Sequence, residues 1–233
     1  MTFHHPSWKP AALLLVTLLV PSFAHAQRSS SRSELSADKI FSAIGIVEGG
    51  TVCEIGAGDG ELTIAAARIV GPAGRVFSSE LGEDRLTALR EQVAKSNLAQ
   101  ITVVAGDDRR TNFPDAACDG VLLRDVYHHF TEPAAMNASI ALALKPGGRV
   151  AIVDFTPPGE EASCPADRDK DGMHGVKAES VTREMKEAGL EPVASAESGQ
   201  RWFMVVLAKP KLSSWCDFVR STARAESGSR AFH

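Results

Sequence analysis

The stretch Thr51-Val52-Cys53-Glu54-Ile55-Gly56-Ala57-Gly58-Asp59-Gly60 constrains this chain more than any other. A short apolar run passes into a turn with three glycines, and a helical pattern follows at once through Leu62, Ile64, Ala65, Ala66 and Ile69. Strand, glycine turn and helix in immediate succession open a βαβ unit that holds a nucleotide-like ligand. One glycine takes positive φ in the turn, another lets a ligand approach the backbone, and the helix start behind them offers free N–H groups. The spacing narrows the ligand. A dinucleotide fingerprint is G-x-G-x-x-G, whereas here the third glycine, Gly60, arrives one residue early. Pyrophosphate wants an anion-friendly helix N-terminus, yet Glu54, Asp59 and Glu61 crowd this one with negative charge. The turn therefore suits a ligand carrying an amine better than a diphosphate. A tight turn with no ligand is the competing reading of the glycines alone.

The following chain repeats the alternation. Gly71-Pro72-Ala73-Gly74 is a turn, and residues 75–80 read as a second strand ending in Glu80, 22 residues after Gly58. In nucleotide-binding βαβ folds a carboxylate at that place accepts both hydrogen bonds of a ribose diol. Asp84 to Ser96 carries the helical stripe Leu86, Leu89, Val93. A third strand, 101–104, ends in Gly106-Asp107-Asp108, where a carboxylate faces the ligand crevice of a parallel sheet. Strand four covers 118–125. Thr131 is the expected N-cap of a helix with Pro133 in its first turn, and Met136, Ile140, Leu142 and Leu144 form its apolar face. Strand five runs 149–155, a helix lies around 179–188, and 192–195 with 202–207 close the sheet as an antiparallel pair. Before all of these, Ser36-Ala37-Asp38 caps a short helix with Ile40, Phe41, Ile44 and Val47 on one face. The expected fold is α/β: a Rossmann-like, seven-stranded, mostly parallel sheet with an antiparallel final strand and helices on both faces.

Glu54-x-Gly56-x-Gly58-x-Gly60, then Glu80, then Gly106-Asp107-Asp108, then Arg124-Asp125-x-Tyr127-His128-His129-Phe130 and Leu144-Lys145-Pro146-Gly147-Gly148 stand in fixed order. This series resembles the class I S-adenosylmethionine-dependent methyltransferases over about residues 35–208, and is similar to the branch that includes quinone-ring methyltransferases. The resemblance implies S-adenosylmethionine as cofactor and a small-molecule methyl acceptor. It implies donor contacts from Glu54, Gly56, Ala57, Gly58, Asp59 and Gly60, with Glu80 and Leu81 at the ribose. Asp107 and Asp108 fall at the adenine, and Arg124 with Asp125 shapes the methionine pocket. Tyr127, His128 and His129, which follow strand four, and His174 in the loop beyond strand five are the candidates for catalysis; a histidine there can take a proton near neutral pH. His128 and His129 have a structural alternative in capping or packing the helix start. Two other functions stay open: a non-catalytic S-adenosylmethionine-binding module, and a nicotinamide-dependent oxidoreductase, which the early third glycine disfavours.

Composition adds limits. The 233 residues suit one domain plus extensions, and a net charge of −4 gives no footprint for a nucleic-acid partner. Lys9, the apolar run 11–20 and Ala24-His25-Ala26 have the layout of a secretory signal peptide over residues 1–26, so an exported, periplasmic protein is expected, with an uncleaved signal anchor as the alternative. The run is too short for a comfortable span, so no stable membrane span is expected after cleavage. Residues 27–34 read as a linker, 35–209 as the methyltransferase domain and 210–233 as a mobile tail. Cys53, Cys118, Cys164 and Cys216 have no metal-framework spacing, and no metal is assigned. A Cys164–Cys216 bridge and free thiols are equally open. Residues 167–172 match the opening of a calcium loop, but Ala178 stands where the closing Glu belongs, so a solvated charged loop is preferred.

Overall fold

The computed structural model describes Met1 and residues 35–199 and 201–211. The expected signal peptide apart from Met1, the whole linker 27–34 and the tail from residue 212, with Cys216, lie outside the described residues. No described helix is long and apolar enough to cross a membrane.

The elements in chain order are α1 (Ala37–Ile44), β1 (Thr51–Ile55), α2 (Glu61–Val70), β2 (Arg75–Glu80), α3 (Glu83–Ser96), β3 (Ile101–Ala105), β4 (Cys118–Arg124), α4 (Pro133–Ala143), β5 (Leu144–Phe155), α5 (Ala178–Glu187), β6 (Glu191–Ser198) and β7 (Trp202–Ala208). The seven strands form one sheet in the order β3-β2-β1-β4-β5-β7-β6. Strands β1 to β5 pair in parallel, and β7 runs antiparallel to both β5 and β6. Chain direction across the sheet reverses between β1 and β4, which leaves a crevice at their carboxyl ends. That crevice lies where the glycine turn leaves β1.

Two apolar layers hold the sheet. Ile40, Phe41 and Ile44 of α1 and Leu62, Ala66, Ala67 and Val70 of α2 pack on one face, against Val52, Val76 and Leu122. Met136 and Ile140 of α4 and Val181 and Met185 of α5 pack on the other, against Val121, Leu123, Val150 and Ile152. Burying one such Leu or Ile side chain is worth about 1.5–3 kcal/mol, so these layers fix the strand ends that build the crevice.

Several local expectations are corrected. Val47 is exposed, because Gly45 closes α1 in the left-handed conformation and Val47 falls beyond the helix. Leu142 is also exposed, on the outer side of α4. Thr131 is not the N-cap of α4: that position belongs to Glu132, without a side-chain cap bond, and Pro133 opens the helix. The cysteines also pair differently. Cys53 on β1 and Cys118 at the start of β4 form a disulfide, with Cα atoms 5.9 Å apart, and Cys164 is free and exposed. The bridge joins the two strands that flank the crevice.

Candidate active site

Three strand ends meet in one hollow. Gly56, Ala57, Gly58, Asp59, Glu80, Leu81, Asp107, Asp108 and Arg124 all line a cavity of about 1260 Å³, with Glu54 at its floor, whereas Gly60, a correction to its expected donor contact, does not line it: it is the N-cap of α2 and backs onto Leu89 of α3. Ligand pockets usually span about 300–1,000 Å³, so this one has room for two small molecules. Backbone hydrogen bonds tie the rim together. The N–H groups of Gly56 and Ala57 both donate to the Ser79 carbonyl at 3.0 Å, and the Gly106 N–H donates to the Glu80 carbonyl at 3.0 Å. Glu80 is buried, and its carboxylate clamps the turn: Oε1 accepts the Gly58 N–H and Oε2 the Leu81 N–H, each at 2.8 Å.

The acidic residues divide into two kinds. Glu54 is 4% exposed, and its carboxylate accepts a hydrogen bond from the Thr63 hydroxyl, which itself meets Ser78 at 2.6 Å. Burial raises its pKa from 4.5 to about 7, against the opposing pull of the Thr63 hydrogen bond and of Arg124. A buried carboxyl facing a cavity fits a cationic ligand, whose charge returns what burial takes away. The other acids are committed to local turns. Asp59 Oδ1 accepts the Glu61 N–H at 3.2 Å. Asp107 Oδ1 accepts the N–H groups of Arg109 and Arg110, at 2.8 and 2.7 Å, and these bonds, Arg109's foremost, hold its carboxyl below the ordinary value. Arg124 pairs with Glu61 at 2.8 Å across the helix start.

Of the four catalytic candidates, His128, His129 and His174 come together, whereas Tyr127 turns away from them. Tyr127 is fully buried and does not line the cavity. The short 3-10 turn Tyr127–His129 swings its ring inward, where the hydroxyl donates to Glu184 at 2.9 Å and accepts from Asn137 at 2.7 Å. Burial first, then Glu184, pushes its phenol above the ordinary value. Tyr127 is a core residue, a correction to its candidacy. His128 is also buried and lies behind the cavity wall. Its Nδ1 meets Asp154 Oδ1 at 2.8 Å and its Nε2 meets His174 Nε2 at 3.0 Å. His129 does line the cavity, half-exposed, and burial together with the neighbouring His128 holds its imidazole below the ordinary value. Nδ1 of His129 lies 3.4 Å from Asp169 Oδ1, and Nε2 of His174 lies 3.3 Å from the same oxygen.

Two carboxylates of this wall escaped the sequence reading. Asp154 is the next-to-last residue of β5, close to the kind of strand-end position that Asp107 holds, so the strand-end rule could have found it. In the sequence Asp169 belongs to the calcium-loop-like run 167–172. That loop does not assemble: Asp167 turns to Lys170 at 2.6 Å, and Asp169 faces the histidines. Between them Arg168 is 3% exposed, paired with Glu184 and, at 3.7 Å, with Glu161. The buried guanidinium roots the loop on α5.

Comparison with known proteins agrees with this architecture. Residues 52–148 match a family model described as a methyltransferase domain. The ubiquinone/menaquinone biosynthesis C-methyltransferase UbiE of Saccharophagus degradans is 33% identical over 115 residues, 49% of this chain and 46% of that protein. The chain thus spans about half the length of the curated relatives it matches. A SAM-dependent methyltransferase from Aquifex aeolicus has the same fold, with a TM-score of 0.64 at 23% identity over 79% of this chain and 97% of that one. A Haemonchus contortus phosphoethanolamine N-methyltransferase 2, solved with S-adenosyl-L-methionine, gives a TM-score of 0.63 at 18% identity over 75% and 52% of the two chains.

Proposed function

We propose that this chain, which carries a class I S-adenosylmethionine-dependent methyltransferase domain, moves a methyl group to a small-molecule acceptor and does so outside the cytoplasm. The observation that carries the reading is the single cavity lined by the glycine turn, Glu80 and Asp107–Asp108, with the buried carboxyl of Glu54 at its floor. In this reading Glu80 receives the ribose hydroxyls, Asp107 and the Asp108 backbone lie at the adenine, and Glu54 with Asp59 holds the ammonium.

When bound, S-adenosylmethionine supplies an electrophilic methyl on a sulfonium, and the departing sulfide is neutral. The chain's own work is then positioning and exclusion of water. The glycine turn and Glu80 orient one end of the cavity, and Val126, Phe130 and Met136 supply apolar wall at the other. A base is needed only for an acceptor that must lose a proton. His129 is the group for that step: it lines the cavity, and its lowered pKa keeps the imidazole neutral at pH 7. The relatives named for ubiquinone and menaquinone biosynthesis favour a ring acceptor, for which the cavity has room beside the donor.

Export is supported by the apolar run 11–20 followed by Ala24-His25-Ala26, and by the Cys53–Cys118 bridge, a linkage that persists in oxidising compartments. The test is calorimetry with S-adenosylmethionine, its homocysteine product and NAD, followed by mass spectrometry of extracts incubated with methyl-labelled donor. Binding of the first two ligands and a labelled product are expected. Tight binding with no labelled product across broad extracts would favour a sensor or scaffold, and NAD binding alone would favour an oxidoreductase.

A further inference from the structure

We propose that His128, His129, His174 and Asp169 form a binding site for a divalent transition metal of the Zn²⁺ class at the acceptor side of the cavity. Their ligand atoms all lie within 4.8 Å of one another. Three of the separations are 3.0 Å (His128 Nε2 to His174 Nε2), 3.3 Å (His174 Nε2 to Asp169 Oδ1) and 3.4 Å (His129 Nδ1 to Asp169 Oδ1). A tetrahedral ion with Zn–N and Zn–O bonds of about 2.0–2.1 Å needs ligand-to-ligand edges of about 3.3–3.4 Å. These three edges stand close to that spacing.

The proton count points the same way. Both oxygens of buried Asp154 accept backbone N–H groups, Oδ1 from Phe155 at 2.8 Å and Oδ2 from His128 at 3.1 Å. The carboxylate therefore faces His128 Nδ1 as an acceptor, Nδ1 carries the ring proton, and Nε2 of a neutral ring presents a lone pair. A carboxylate behind a histidine in this way is the usual support of a metal-bound imidazole. The lone pair of His128, the Asp169 oxygen and a ring nitrogen each of His129 and His174 then stand within 4.8 Å of one another, a span that one cation between them would satisfy. Three nitrogens and one oxygen suit Zn²⁺ or Co²⁺ and not the all-oxygen shell of calcium.

The frame is rigid. The Phe155 ring lies 4.8 Å from His128 and 5.1 Å from His174, shielding one side. Gly175 has φ +130, and a Cβ there would come within 2.5 Å of the Phe155 carbonyl oxygen, so only glycine lets the loop press His174 against the end of β5. Because His129 and Asp169 line the donor cavity, the ion sits where an oxygen-bearing acceptor can reach it, and an acceptor oxygen on the ion loses its proton more readily, so that with metal bound His129 serves as a ligand and not as the base; that last step rests on the methyltransferase reading, whereas the site itself does not.

The test uses the full chain, freed of metal and titrated with Co²⁺ and Zn²⁺. One Co²⁺ per chain with the intense visible absorption of tetrahedral coordination is expected, displaced by Zn²⁺. The half-exposed positions allow variants that spare the core: His174→Ala should weaken Zn²⁺ binding at least 100-fold and Asp169→Asn at least 10-fold. Equal affinity in wild type and His174→Ala would overturn the site and assign the ion to His4, His5, His25 or His233, which that variant leaves intact. Absence of binding below 100 µM, taken as roughly the weakest affinity a four-ligand site should show, would overturn it as well. Calorimetry with S-adenosylhomocysteine runs in parallel. Metal binding without nucleoside binding would sustain this site while refuting the methyltransferase reading, and the reverse result would refute this site alone.

Discussion

Glu54→Gln should change fold stability and ligand affinity in opposite directions. The carboxyl is 4% exposed, and its pKa rises from 4.5 to about 7, chiefly through burial. A raised pKa means that the ionised form is disfavoured in the folded state. The associated stability is fully present below about pH 4.5, drains as pH rises, and is gone above about 7. A shift of this size corresponds to about 3 kcal/mol. The amide never ionises, and its oxygen can still accept the Thr63 hydroxyl. At pH 8 the variant should therefore be more stable than the wild type by up to about 3 kcal/mol, and at pH 5 close to equal. Donor binding should go the other way. If an ammonium needs the ionised carboxylate, wild-type affinity rises about tenfold between pH 6 and 7.5, in step with ionisation through a pKa near 7. The variant should bind about 10–150-fold more weakly, the loss of a charge-assisted hydrogen bond worth about 1.5–3 kcal/mol, with little pH dependence. Urea unfolding at pH 5 to 8 and calorimetry with S-adenosylhomocysteine read the two arms. A variant less stable than wild type at pH 8, or wild-type affinity flat across pH 6–7.5, would refute the reasoning.

Three other substitutions or treatments separate fold from site. Gly58 has φ +56 and open space where a Cβ would stand, so Gly58→Val should cost about 1–2 kcal/mol of backbone strain yet occlude the turn; a melting curve near wild type with donor binding lost is expected, and full binding would contradict the donor placement. Reducing Cys53–Cys118 opens a loop of 65 residues of sequence separation, worth about 4 kcal/mol in the chain-entropy model; urea unfolding with and without a thiol reductant should differ by that order, and coincident curves would show the bridge to be immaterial. Tyr127→Phe removes the hydroxyl between Glu184 and Asn137 and should destabilise by about 1–3 kcal/mol while leaving kcat/KM within twofold. A large fall in rate at unchanged stability would return Tyr127 to the chemistry.

What could be read in advance was local in the chain. Gly56 to Gly60, Glu80 and Asp107 each announce themselves by their place at the end of an apolar run, because strand, turn and helix have short-range signatures and the crossover rule then orders the sheet. Tyr127 misled for the same reason: it follows a strand end, but the one-turn helix after Val126 rotates it into the core, and nothing local encodes that rotation. The pairings were out of reach. Cys53 finds Cys118 across 65 positions and His128 finds His174 across 46; both meetings depend on how β1, β4 and β5 are packed, not on spacing. Asp154 holds a readable position near the end of β5, but the more polar end of β4 gives the stronger local signal.

The anchoring of Arg168 beneath the loop has a consequence for substitution. One wall of the hollow belongs to the sheet, and the loop that brings Asp169 to the facing wall is held by a buried guanidinium whose counter-charges are Glu161 of the same loop and Glu184 of α5. Substitutions on either side of this tether, at Asp169 and His174 included, would alter the loop's wall while leaving the sheet's wall of the chamber in place.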